Sequence, residues 1–104
     1  MFARTVNFKI KASDIQAFRG EAEKVREALK KFPGMSHQFT VIQDDGKGLS
    51  LGVWDSEDAA KAGFEGIQKI WASLSDYLTE PLSVTSYPNV EQLAGPVREM
   101  GRSH

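Results

Sequence analysis

Apolar and polar residues alternate from Phe2 to Ile10. Phe2, Val6, Phe8 and Ile10 fall on one side, interrupted by Arg4, and Ala3, Thr5, Asn7 and Lys9 fall on the other. A period of two is that of a strand with one apolar face. From Asp14 to Lys31 the apolar positions Ile15, Phe18, Ala22, Val25, Leu29 and Phe32 step by threes and fours, the stripe of an amphipathic helix. Ser13 and Gln16 read as a capping box, Lys30 and Lys31 suit the negative end of the helix dipole, and Pro33-Gly34 stops the helix. Alternation returns from Met35 to Gln43 and from Leu49 to Trp54, joined by Asp44-Asp45-Gly46-Lys47-Gly48, a hairpin pattern. The apolar sides of these strands (Met35, His37, Phe39 and Val41; Leu49, Leu51 and Val53) are expected to face the core. Ser36, Gln38, Thr40, Ile42, Ser50, Gly52 and Trp54 then lie on the opposite side.

Asp55-Ser56-Glu57-Asp58 opens a second helix with cap residues and acids at its positive end. Its stripe is Ala60, Phe64, Ile67, Trp71, Leu74 and Leu78, with Gly63 and Gly66 inside it. Each glycine costs a helix about 1 kcal/mol relative to Ala, so close packing is expected there. Glu80-Pro81 ends the helical region. Leu82 to Tyr87 is a fourth strand, with Leu82 and Val84 inward and Ser83, Thr85 and Tyr87 outward, and Val90 to Leu93 is expected to make one helical turn. Residues 95–104 lack periodicity and read as a polar tail after a domain of residues 1–94. The order β-α-β-β-α-β predicts an α+β, ferredoxin-like fold, an antiparallel sheet with helices on one face.

At 104 residues the chain holds one domain. A net charge of −1 leaves no basic excess for nucleic acid. The absence of cysteine excludes disulfide scaffolds, thiolate metal sites and Cys nucleophiles. No apolar run approaches the roughly 20 residues of a membrane span, and no signal-peptide pattern opens the chain, so the expected location is cytoplasmic, with neither membrane nor nucleic acid as partner. The uncovered sheet face is expected to carry small uncharged groups with Trp54 and Tyr87, and a single charge, Lys9, at a strand end. Solvated faces normally carry Lys and Glu, so this face reads as an interface. The expectation is a homodimer with Gln38, Thr40, Trp54 and Tyr87 at the contact.

The element order, Pro33-Gly34 between the first helix and second strand, Val53-Trp54-Asp55-Ser56-Glu57-Asp58-Ala59 at the junction into the second helix, and Glu80-Pro81 together resemble the antibiotic biosynthesis monooxygenase (ABM) domain, a dimeric α+β barrel. The resemblance covers Met1 to Tyr87. It implies a face-to-face dimer and oxygenation without metal or flavin, in which a deprotonated aromatic substrate held between sheet and helices reacts with oxygen. Haem-degrading relatives use an Asn on the first strand with a Trp and a His on the second helix. Asn7 and Trp71 match by type, but the histidines here are His37 and His104, which argues against haem degradation.

The expected cavity lies between the apolar sheet face and the helices, lined by Val6, His37, Phe39, Phe64, Ile67 and Trp71. His37 is its candidate general base, being the lining residue whose ordinary pKa is near neutral; the competing reading is a strand-end histidine bonded to backbone or water. Trp71 is a pocket wall or an ordinary core aromatic. Arg4, within an apolar stripe, is expected to pair with a carboxylate, the alternative being an anionic ligand. Asp44, Asp45, Glu57 and Asp58 fit a turn and a helix N-terminus rather than a metal site. Three functions compete: a cofactor-independent monooxygenase of a small aromatic or enolisable substrate, a non-catalytic small-ligand-binding or interaction protein, and a lyase or isomerase using His37 as base.

Overall fold

The computed structural model describes residues 1–94, so the expected tail lies outside the described residues. Strands β1 (Phe2–Lys9), β2 (Met35–Ile42), β3 (Lys47–Trp54) and β4 (Ser83–Tyr87) form one antiparallel sheet in the order β2-β3-β1-β4. Helices α1 (Ile15–Lys24) and α2 (Arg26–Leu29) connect β1 to β2, and α3 (Glu57–Ser73) connects β3 to β4. This is the expected ferredoxin-like α+β arrangement.

Several local features depart from the sequence pattern. The first helix breaks at Val25 (φ −91°, ψ −2°) into α1 and α2. Ala12–Asp14 forms a 3-10 turn, and the N-cap of α1 is Asp14 with no side-chain cap bond, so the Ser13–Gln16 capping box does not form. Residues Val90 to Leu93 are not helical. The start of α3 is as expected: Ser56 Oγ accepts from the Ala59 N–H at 3.1 Å, satisfying one of the unpaired donors of the first turn. Gly34, at φ +81°, lets the chain turn after the first helix, and its carbonyl accepts from Asp55 N–H at 2.7 Å.

The largest difference concerns which sides of β2 and β3 face the helices. Phe2 pairs with Trp54, Arg4 with Gly52, Val6 with Ser50 and Phe8 with Gly48. Directly paired residues share a face, so Gly48, Ser50, Gly52 and Trp54 point toward the helices. Leu49, Leu51 and Val53 lie on the open face instead. Strand β2 follows suit because of a bulge at Ser36: Met35 pairs with Trp54, but His37 already pairs with Val53. One extra residue reverses the side-chain alternation beyond it. Gln38, Thr40 and Ile42 therefore face the helices, and His37, Phe39 and Val41 face out.

Volume explains the choice on β3. Any side chain at Gly48 would collide with the Phe8 ring, and one at Gly63 of α3 would collide with the Trp54 indole. The helix side of β3 is small where β1 is large, and Trp54 fills the far end. Two buried clusters result. Phe8, Ile10, Phe18 and Leu74 close one end of the helix–sheet layer, and Phe2, Trp54 and Ala60 close the other. Phe8 stacks on Phe18 at 5.3 Å between centroids, and Phe32 meets Trp54 edge-on at 6.2 Å. The two ends are about 20 Å apart along β1, six residues at strand rise. Between them the inner face carries Arg4, Gly52, Gln38 and Ser86 in one row and Val6, Ser50, Thr40 and Val84 in the next. Small and polar residues in the middle of a layer closed by aromatics at both ends leave space there.

Candidate functional site

That space forms two cavities flanking α3. The larger, of about 940 Å³, lies between α3, the α1–α2 segment and the β2–β3 side of the sheet. Its apolar walls come from the helix stripes, and its floor from Gln38, Thr40 and Ile42. Gln38 Nε2 donates to Ser50 Oγ at 2.6 Å, and Thr40 Oγ1 lies 3.4 Å from the same oxygen. Charged residues, among them Arg19, Glu23, Arg26, Lys30 and Asp44, also border this cavity. Glu23 and Arg26 are bonded at 2.9 Å, which holds the Glu23 carboxyl below its ordinary range, first through the hydrogen bond and then through the guanidinium charge.

The smaller cavity, of about 320 Å³, lies between α3 and the β1–β4 side, at the lower end of the size range for small-molecule sites. Val6, Phe64, Ile67, Trp71, Leu82 and Val84 make it apolar, and its polar groups are Arg4, Gln68 and Ser75. Ile67 and Trp71, one turn apart on α3, contribute to both cavities.

Among the expected cavity residues, Val6, Phe64, Ile67 and Trp71 are brought together around the smaller cavity. His37 and Phe39 are not. The bulge at Ser36 turns both to the open face, where their rings stack at 6.2 Å and Phe39 is 60% exposed. His37 borders the larger cavity at its edge, and its placement removes it as a base inside the smaller one. Among the expected interface residues, Tyr87 lies on the open face, whereas Gln38, Thr40 and Trp54 face the helices, with Trp54 buried. Asn7 is on the open face as expected. Trp71 packs on Phe8 at 5.3 Å between centroids while lining the cavities. Tyr77 sits edge-on to Phe18 in the core. The acid clusters serve local structure: Asp45 accepts from the Lys47 N–H at 3.0 Å, and Glu57 pairs with Lys61 at 3.6 Å.

Arg4 departs from expectation in a different way. Among the described residues it makes no ion pair. Its Nε–H donates to Ser86 Oγ at 3.3 Å, and its Cζ lies 5.1 Å from the Phe64 ring centroid and 5.5 Å from that of Phe2. Gln38 and Thr40 line the larger cavity, held by Ser50 beneath them, and the sequence pattern hides them because their polarity alone places them on the opposite face. The alternating small residues Gly48, Ser50 and Gly52, beside a strand bearing Phe2 and Phe8, are the signal that marks this side as the one receiving bulk.

No protein-family model and no curated protein matches the sequence. Solved structures match over nearly the whole described fold. A Nitrosomonas europaea protein named as a candidate antibiotic biosynthesis monooxygenase is 17% identical, with a TM-score of 0.74 over 88% of this chain and 100% of that one. Rv0793 from Mycobacterium tuberculosis is 17% identical, with a TM-score of 0.70 over 89% and 98%. A mutant of SnoaB, a cofactor-independent oxygenase from Streptomyces nogalater, is 13% identical, with a TM-score of 0.72 over 90% and 97%. The chain therefore has the α+β fold seen in structures of antibiotic biosynthesis monooxygenases.

Proposed function

We propose that the chain is a cofactor-independent monooxygenase acting on a small aromatic or enolisable substrate in the cavity between α3 and the β1–β4 side of the sheet. The observation that carries this reading is a largely apolar cavity of about 320 Å³, walled by Phe64, Ile67 and Trp71 and carrying a few polar groups, in a fold shared with a cofactor-independent oxygenase. The substrate supplies the electrons. One C–H proton leaves to give a carbanion that adds to oxygen, and the peroxide anion takes up a proton. The hydroperoxide loses water together with the second C–H hydrogen, leaving a carbonyl where two C–H bonds stood. The apolar walls shield the carbanion from water on the sides they cover, and Gln68 and Ser75 offer hydrogen bonds to the substrate's oxygens.

The test is oxygen uptake, measured with polycyclic phenols and β-dicarbonyl compounds in chelator-treated buffer. The expected result is substrate-dependent uptake, with one atom of ¹⁸O₂ in the product carbonyl. The second reading is a non-catalytic ligand-binding protein. It is favoured by the lack of a His, Asp or Glu among the described residues lining this cavity. Ligand binding without oxygen uptake would establish that reading instead.

The protein acts as a homodimer in this proposal, joined through the open sheet face. Phe39, Val41, Leu49 and Tyr87 are exposed there, beside Leu51 and Val53. An exposed apolar patch of this kind on a sheet without covering helices is what a second copy buries. Among the described residues no helix is long and apolar enough to cross a membrane, and we place the protein in the cytoplasm without a nucleic-acid or membrane partner.

A further inference from the structure

We infer that the smaller cavity takes its ligand as an anion, a flat aromatic molecule bearing a carboxylate or phenolate oxygen, with Arg4 as the group that recognises the charge. The inference rests on the proposed use of that cavity as the substrate site and names the substrate class.

An arginine on the helix-facing side of a strand is normally paired with a carboxylate, because a partly buried charge without a partner is costly. Arg4 has no such partner among the described residues. Of its five N–H donors, the one on Nε is used by Ser86, the residue directly across on β4. The terminal nitrogens have no protein acceptor among the described residues. Their planar fork suits two oxygens of one carboxylate or a single charged oxygen.

The surroundings hold this cation in place without neutralising it. The guanidinium carbon lies between the rings of Phe2 and Phe64, 5.5 and 5.1 Å from their centroids. Ring faces attract a cation but add no negative charge. The rest of the lining is apolar apart from Gln68 and Ser75. A flat ring therefore finds apolar walls and its anionic oxygen finds Arg4. The cavity's described lining contains no His, Asp or Glu to act as base. A phenol that enters as its phenolate, or that Arg4 makes more acidic, needs none for this step, because its charge is shared with ring carbon. A carboxylate is recognised in the same way but supplies no carbanion.

The test compares 2-naphthoate with 2-naphthamide, which share shape and differ in charge, by titration calorimetry on the full chain. The expected result is binding of the naphthoate about 10–100-fold tighter than the amide, the range of a charge-assisted hydrogen bond. Added salt should weaken binding of the naphthoate alone. Arg4→Gln should abolish the preference, and Arg4→Lys should keep part of it. Equal affinities in the unaltered protein, or a preference that survives Arg4→Gln, would overturn the inference while leaving the cavity as a binding site. Failure of both compounds to bind would overturn the cavity reading and this inference with it. The comparison within the unaltered protein decides the matter even if Arg4→Gln fails to fold.

Discussion

Gly63→Ala and Gly20→Ala are the same chemical change at two helical sites, and the structure gives them opposite signs. A methyl group at Gly20, on α1, meets nothing within 4 Å. Replacing it should therefore stabilise the protein by about 0.5–1 kcal/mol, the helix-propensity difference between the two residues. The same gain applies on α3 at Gly63, but there the new methyl group overlaps the six-membered ring of Trp54. That indole is 2% exposed and is enclosed with Phe2, Ala60 and Phe32, so it has little room to retreat. Overpacking of this kind costs about 1–3 kcal/mol. The net expectation for Gly63→Ala is a loss of about 0.5–2 kcal/mol. Urea unfolding at one fixed protein concentration reads both changes, since the stability of the proposed dimer would depend on concentration. The midpoint should rise for Gly20→Ala and fall for Gly63→Ala. If Gly63→Ala stabilised as much as Gly20→Ala, Trp54 would not lie over α3, and the assignment of the inner side of β3 would be wrong.

Phe39→Glu combined with Leu51→Glu should convert the proposed dimer to a folded monomer in sedimentation at micromolar concentration, and a dimer surviving both charges would count against the open-face interface. Ser56→Ala should cost about 1 kcal/mol by removing the cap of α3, whereas Ser56→Gly should cost only a few tenths; an unchanged midpoint for Ser56→Ala in thermal unfolding would show that the Oγ bond to Ala59 contributes nothing. Glu23 should titrate below its ordinary value of 4.5 in carboxyl NMR, because Arg26 bonds its charged form. A depressed folded-state pKa adds stability above the unfolded-state pKa and loses it as pH falls through the folded one. Arg26→Gln should move the Glu23 midpoint back up, and an unmoved midpoint would show that the pair is not formed in solution.

The order of elements, and with it the fold class, was legible in the sequence because each element carries its own local pattern: alternation in β1 and β4, apolar stripes in the two long helical segments, Pro33-Gly34 as a stop and Ser56 as a cap. The inward sides of β1 and β4 were legible too, since their apolar residues do point to the helices. What the sequence did not determine was the phase of β2 and β3. Alternation sets which residues share a side, but the choice of side depends on the volume that neighbouring strands and helices bring. Phe8 occupies the space above Gly48, Trp54 is received by Gly63, and the bulge at Ser36 reverses β2 beyond it. That tertiary choice moved His37 and Phe39 to the open face, and Gln38 and Thr40 beneath the helices. It also decided the state of Arg4: the sequence marks it as a charge in an apolar stripe, but only the packing of β1 against β4 and α3 sets it beside Ser86 and two phenyl rings rather than a carboxylate.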